Sequence, residues 1–268
     1  MLEIIRQWAR SFFSRDQRAR IRTAIHGIRR IKNEQRRKVL KLLGSYAVHI
    51  RLPNGRSWRS AMPAQLINSF SEGAKKYRYC GIRCVKFPTE LALYTLLISK
   101  LRPRTIIEIG TQEGGGALWM ADQMRTFGIE GRVISIDKNP PSPFYEKERT
   151  DIVLLRGDAG RLEECLSSDY LASLARPWLV IEDSSHKFKY TLAVLRFFDR
   201  KMQPGEYIVV EDGVVSDIGL ADKFQGGPGR AISEFLSEAG DRYEIDAELC
   251  DFFGHNVSSN PNGYLIRK

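Results

Sequence analysis

Residues 106–116 read Ile-Ile-Glu-Ile-Gly-Thr-Gln-Glu-Gly-Gly-Gly, and the run Ala117-Leu118-Trp119-Met120-Ala121 follows. A short apolar segment rich in β-branched residues ends in an acid and a glycine, turns through further glycines and continues with helical composition. Glycines in such a turn let the backbone pass close to a ligand because no Cβ stands in the way. The spacing is Glu-x-Gly-x-x-x-Gly-Gly. It is neither GxGxxG nor a P-loop, since no Lys-Ser/Thr pair follows. By itself the turn leaves a second reading open, a βα connection whose glycines serve only tight packing.

Outward from this turn, strands and helices alternate. The pattern predicts strands over 105–109, 132–137, 152–155, 178–183 and 207–212, with closing strands over 243–246 and 264–266. Helices are predicted over 88–101, 116–126, 162–174, 188–202 and 231–239, and a long glycine-bearing loop over 213–228. This alternation implies an α/β fold, a Rossmann-like, doubly wound, mostly parallel sheet that takes ligands at the carboxyl ends of its strands.

The predicted strand ends carry acids in register with the glycine turn. The first strand ends at Glu108-Ile109-Gly110. The second ends at Asp137, 29 residues after Glu108, where a carboxylate can accept both hydroxyls of a ribose. Gly157-Asp158 follows the third strand, where a carboxylate could meet an adenine amino group. The fourth leads into Glu182-Asp183-Ser184-Ser185-His186, and the fifth into Val209-Val210-Glu211-Asp212. Asp183, Glu211 and Asp212 would then share one rim and repel one another unless a cation neutralises them. Hard oxygen ligands favour Mg²⁺, Ca²⁺ or Mn²⁺ over zinc. Helix capping and pairing with arginines are the alternative uses of the same acids. His186, three residues past Asp183, becomes a candidate general base beside such a rim, because imidazole titrates near working pH. Elsewhere a lone histidine is structural or solvated.

Residues 80–268 resemble the cephalosporin-hydroxylase-like group of S-adenosylmethionine-dependent O-methyltransferases, which includes macrolide-sugar and rhamnosyl O-methyltransferases. The segments that carry the resemblance are Lys86-Phe87-Pro88, Glu108-Ile109-Gly110 with Gly114-Gly115-Gly116, Ile136-Asp137, Gly157-Asp158 and Asp183-Ser184-Ser185-His186. Tyr207-Ile208-Val209-Val210-Glu211-Asp212, Gly227-Pro228-Gly229-Arg230-Ala231 and Asn260-Pro261-Asn262-Gly263-Tyr264-Leu265 complete them. The resemblance implies a class I methyltransferase fold, with S-adenosylmethionine and Mg²⁺, or another hard divalent cation, as cofactors. It implies transfer to a hydroxyl of a sugar, glycolipid, polysaccharide or glycosylated natural product. Glu108, Gly110, Gly114, Gly115, Asp137, Asp158 and Asp183 would bind the cofactor. Asp183, Glu211 and Asp212 would bind the metal, and His186 would be the base. Two other readings stand beside this one. A catechol-type O-methyltransferase would use the same metal logic on an aromatic diol and want an aromatic wall near the rim. A non-catalytic protein tethered to membrane lipid or RNA would use only the basic N-terminal part. No clear two-His-one-carboxylate iron triad is present.

The 268 residues, 43% hydrophobic and 28% charged, have the composition of a soluble globular protein able to bury one sizeable core. The net charge of +10 is uneven. Residues 1–43 hold 13 Lys/Arg against 3 Asp/Glu, whereas residues 101–268 hold 20 against 27. The basic character thus belongs to an N-terminal extension, residues 1–79, and not to the domain expected over 80–268, which argues against a nucleic-acid partner. Leu2, Ile5, Trp8, Phe12 and Phe13, then Ile21, Ile25, Ile28 and Ile31, recur at helical spacing among arginines. Such helices would meet an anionic membrane surface or pack on the domain or on another copy of the chain. A homo-oligomer is expected. Cys80, Cys84, Cys165 and Cys250 read as reduced thiols of a cytoplasmic protein. The start lacks a secretory signal, and no apolar run is long enough to span a membrane. Peripheral attachment at the inner membrane surface is therefore the only membrane association foreseen.

Overall fold

Ile106 and Ile107 are neighbours on one strand, and alternation sends them to opposite faces, where each belongs to a different hydrophobic core. The computed structural model describes residues 56–142 and 148–268. In it, β3 (Thr105–Ile109) and β6 (Trp178–Glu182) are buried at every position, as strands covered by helices on both faces must be. They lie side by side in a seven-stranded sheet of order β5-β4-β3-β6-β7-β9-β8. β4 (Arg132–Asp137), β5 (Ile152–Arg156) and β7 (Tyr207–Val210) run parallel to them. β9 (Tyr264–Arg267) enters antiparallel between β7 and β8 (Tyr243–Ile245).

On one face Ile106, Val133, Leu179 and Val209 pack with α2 (Pro88–Leu101) and α3 (Gly115–Thr126), chiefly through Leu93, Leu97, Leu118 and Met120. On the other, Ile107, Ile134, Val180 and Ile208 meet α5 (Phe188–Asp199) and α6 (Gly227–Ala239) through Leu195, Phe198, Ile232 and Phe235. The chain runs from β3 out to β4 and β5, then returns to β6 on the opposite side of β3. That reversal opens a crevice at the carboxyl ends of β3 and β6, where doubly wound sheets take their ligands.

Several predicted bounds move for local reasons. The helix expected over 162–174 appears in pieces, a 3-10 turn at Leu162–Glu164 and then α4 (Ser168–Ala172). The second piece starts afresh because Ser167 Oγ accepts the Tyr170 N–H. α6 begins at Gly227 and not at residue 231, with Pro228 in a first turn that needs no proline N–H. β7 ends at Val210, because Asp212 turns into left-handed backbone at φ 57° and gives its N–H to Asn260 Oδ1.

Residues 56–79, read from the sequence as part of the extension, lie in the same compact unit as the sheet. α1 (Ala64–Ala74) buries Ile67 and Ala74 in a small cluster with Met62, Phe87 and Val214. Arg56 holds Asp251 through two bonds of 2.8 Å. β1 (Arg78–Tyr79) and β2 (Ile82–Arg83) form a hairpin whose turn residues, Cys80 and Gly81, both have positive φ, as the twist of a two-residue turn requires. The amphipathic pattern of residues 2–43 and the turn expected at 52–55 lie outside the described residues. Among the described residues, no helix is long and apolar enough to cross a membrane.

Candidate active site

The glycine turn is shaped first by the chain around it. Gly110 has φ 113°, and a Cβ there would stand 2.0 Å from the backbone oxygen of Asp183. A Cβ on Gly115 would stand 2.3 Å from the Arg83 carbonyl in the β1–β2 hairpin. Gly114, at φ 88°, is the left-handed residue from which α3 starts. Two of these glycines thus let β3 and α3 press against β6 and the hairpin. The tight-packing reading of the turn describes part of their role.

The acids of this half serve the same turn. Glu108 is buried, and Ser135 Oγ donates to its Oε2 at 2.5 Å. Burial pushes the Glu108 carboxyl up to about 8, against the opposing pull of the Lys86 ammonium. Asp137 reaches from the end of β4 to accept the N–H groups of Thr111 and Gln112 through Oδ2, at 3.1 and 3.2 Å. Asp158 accepts the Gly160 N–H at 2.9 Å and faces Lys138 at 3.1 Å. That backbone bond, helped by Lys138, holds its pKa below the ordinary carboxylate range.

The rim at the ends of β6 and β7 is different. Asp183, His186 and Asp212 bring one ligand atom each within 4.8 Å of one another. The side chains of Asp183 and Asp212 keep 18% and 33% of their exposure, so a solute can reach them. His186 adopts φ 56°, and its Nε2 lies 3.3 Å from Asp212 Oδ2. Its ring meets Phe224 edge-on, with centroids 5.7 Å apart, and its Nδ1 is buried with no hydrogen-bond partner among the described residues. Burial pulls the His186 pKa down, but the carboxylates of Asp212, Asp183 and Glu182 outweigh it, and the net shift is upward. Burial raises the pKa of both Asp183 and Asp212, opposed by Lys86 and His186 respectively.

Glu211, assigned from sequence to the same metal set as Asp183 and Asp212, is turned elsewhere. Its Oε1 accepts Tyr94 OH at 2.6 Å and Lys86 Nζ at 2.7 Å. The same Lys86 Nζ donates to Asp183 Oδ2 at 2.6 Å. Burial would lower the Lys86 pKa, but Asp183, Glu211 and Glu108 hold it well above the ordinary lysine value. Sequence reasoning assigned no role to Lys86 or Tyr94. The one available signal was a lysine set in the apolar stretch Cys84-Val85-Lys86-Phe87-Pro88 with no acid beside it.

The carboxylates fit a hard divalent cation: Asp183 and Asp212 bring oxygens within 4.8 Å of each other, Glu211 stands behind them, and His186 lies beside them as a candidate base. Sheet order, glycine turn and acidic strand ends are those of a Rossmann-like fold of the class I methyltransferase type, and its relatives among known proteins make it an S-adenosylmethionine-dependent O-methyltransferase. Residues 72–268 match the family described as Rhamnosyl O-methyltransferase/CmcI, and the chain belongs to that family. A rhamnosyl O-methyltransferase of Mycobacterium tuberculosis is 30% identical over 203 residues, spanning 72% of this chain and 78% of its own. One from Mycobacterium leprae is 29% identical over 195 residues, spanning 71% and 82%. The solved structure described as "cmcI-D160 Mg-SAM" is 25% identical, with a TM-score of 0.58 over 85% of this chain and 95% of its own. An apo CmcI structure, 24% identical and also at 0.58, shares the fold over 85% of this chain and 94% of its own.

Proposed function

We propose that this enzyme methylates a sugar hydroxyl on a glycosylated acceptor, with S-adenosylmethionine as donor and Mg²⁺ or a similar hard cation as cofactor. The observation that carries this reading is the convergence of Asp183, His186 and Asp212 beside the glycine turn. Family membership and the rhamnosyl O-methyltransferases among its relatives support the acceptor class.

S-adenosylmethionine supplies the methyl group, and the cation lowers the pKa of the hydroxyl that accepts it. The chain's own residues do the rest. Asp137, which keeps the Thr111 and Gln112 N–H groups in place, would also accept the ribose hydroxyls. Glu108, Gly110, Gly114 and Gly115 would hold the donor through the turn they shape, Asp158 would bind its adenine, and Asp183, part of the rim, would bind both donor and cation. Asp183 and Asp212 would hold the cation, with Glu211 as the further ligand. His186, aimed by Asp212, takes the proton. Phe224, from the loop after β7, meets the His186 ring edge-on and would restrict water on that side of it. That single ring also suits an aromatic diol, so the catechol-type alternative belongs in the same assay.

Residues 1–43 act, in this reading, in location or assembly, on an anionic membrane surface at the inner leaflet or in a homo-oligomer. Their charge and amphipathic period support that. The deciding experiment incubates the protein with labelled S-adenosylmethionine and a panel of rhamnosylated lipids, free glycosides and catechols. Transfer to a sugar, abolished by EDTA and restored by Mg²⁺, is expected. Full transfer in excess chelator, or transfer to catechols alone, would overturn the reading.

A further inference from the structure

Lys86 Nζ is shared by a carboxylate from each of two strand ends, Asp183 after β6 and Glu211 after β7. Only 5% of its side chain is exposed. Its stem passes the first turn of α3, where a Cβ on Gly116 would stand 3.7 Å from Lys86 Cε and 2.8 Å from Glu108 Oε1. One ammonium is therefore set among acids that belong to three strands. The backbone that delivers it is firmly held. The Lys86 N–H donates to the Cys84 carbonyl at 3.0 Å. Phe87 gives its N–H to Glu90 at 2.8 Å, and Pro88 opens α2 immediately after.

We infer that Lys86 is a tethered counter-ion of the rim, which competes with the divalent cation for Asp183 and Glu211 and so sets how tightly the enzyme holds its metal. This rests on the metal-dependent reading above. A buried carboxylate, Glu211, and a half-buried one, Asp183, at neighbouring strand ends need a positive charge, and in this structure the ammonium supplies it. A cation drawn to Asp183 and Asp212 meets that charge at close range. Glu211 accepts both Tyr94 and Lys86 through Oε1, so a cation that its carboxylate met would lie close to the Lys86 ammonium and be repelled by it. Binding of the cation and retention of the Lys86 bridge therefore oppose each other, and coupling of this kind acts equally in both directions. Lys86 is a positioning residue, because it reaches the acceptor and donor only through the carboxylates it holds.

The test uses the full chain without cofactor and Mn²⁺ alone as the probe, followed by electron paramagnetic resonance and by thermal unfolding. Lys86→Met should bind Mn²⁺ about tenfold tighter than wild type, or more, because removing one charge a few ångströms from a divalent ion is a large term in a half-buried site. Mn²⁺ should also raise the melting temperature of Lys86→Met by more than it raises that of wild type. Lys86→Arg keeps the charge and should stay within about threefold of wild type. If Lys86→Met is unstable without metal, Mn²⁺ should rescue it, since the ion then replaces the lost counter-ion; instability that Mn²⁺ does not relieve counts against the inference. Lys86→Met binding equal to or weaker than wild type would overturn it, leaving Lys86 as a simple structural brace. Tightening in Lys86→Arg as large as in Lys86→Met would assign the effect to shape and not charge. A wild-type protein that binds no Mn²⁺ at all would instead sink the metal-dependent reading itself.

Discussion

The two halves of the crevice use their acids in opposite ways. At the ends of β4 and β5, Asp137 and Asp158 accept backbone N–H groups of nearby turns. Their charge is answered locally, and they fix the shape of loops. At the ends of β6 and β7, Asp183, Glu211 and Asp212 face one another, with Lys86 and His186 as the positive or potentially positive groups among them. Burial raises the pKa of all three. The first half is a rigid mould, and the second stores negative charge next to it. A methyl donor that is itself a cation, and an acceptor hydroxyl that must lose a proton, need both kinds of surface within one crevice.

The largest effect expected from breaking this division lies in the second half. His186→Ala should lower kcat by about 10² to 10⁴-fold, the usual contribution of a general base, while affinity for S-adenosylhomocysteine stays close to that of wild type. A variant that keeps kcat within about threefold, when chemistry limits the rate, assigns the proton to another group.

In the first half, the corresponding change is Gly110→Ala. The added methyl meets the Asp183 carbonyl at 2.0 Å, on backbone at φ 113° that disfavours any side chain. Strain and overpacking together should cost roughly 3 kcal/mol of stability, read from denaturant unfolding. A loss under about 1 kcal/mol would show that the turn can move away from β6, and that its glycines matter for the ligand more than for packing.

Asp137→Ala should act more mildly and on two readouts. Calorimetry should show S-adenosylhomocysteine binding weakened by roughly 1.5–3 kcal/mol, the range for hydrogen bonds to a charged group. Amide exchange at Thr111 and Gln112 should rise as well, because both lose their acceptor. Unchanged affinity with faster exchange would make Asp137 a purely structural clamp.

How much of this was legible in the sequence follows the same division. The mould was readable because its parts are local: an apolar run, a glycine turn and acids at strand ends follow one another along the chain. Central strands and most helices were found by the same local patterns. The charge balance was not readable, because Lys86 lies 97 residues from Asp183 and 125 from Glu211 in sequence. Nothing in Lys-Phe-Pro announces that its lysine reaches across the sheet. Glu211 was assigned to the metal from its strand end alone, and only side-chain geometry shows it held by Tyr94 and Lys86. Likewise the Asn260 bond that turns Asp212 off β7 joins residues 48 positions apart. Local order dictates the backbone here, and long-range contacts decide what each acid is doing.

The smallest effect sharpens the comparison without touching the rim. Glu90, in the first turn of α2, is fully buried behind the second half. It accepts the N–H groups of Phe87 and Ser259 at 2.8 and 2.7 Å. Burial nevertheless pushes its carboxyl up to about 7, with Glu211 and Asp212 adding to the rise and the Ser259 bond opposing it. A folded-state pKa above the unfolded value near 4.5 means that the folded protein binds the proton more tightly. The resulting stabilisation is fully present below about pH 4.5 and is lost as the pH rises to about 7, above which no further loss comes from this group. Glu90→Gln cannot ionise, but it exchanges one acceptor oxygen for a donor, so it should be less stable than wild type at pH 4.5. The deficit should shrink by on the order of 1–2 kcal/mol between pH 4.5 and pH 6, measured by urea unfolding at each pH. A deficit that stays constant, or widens with pH, would mean that the two backbone bonds hold Glu90 ionised, and that the second half tolerates buried charge as readily as the first.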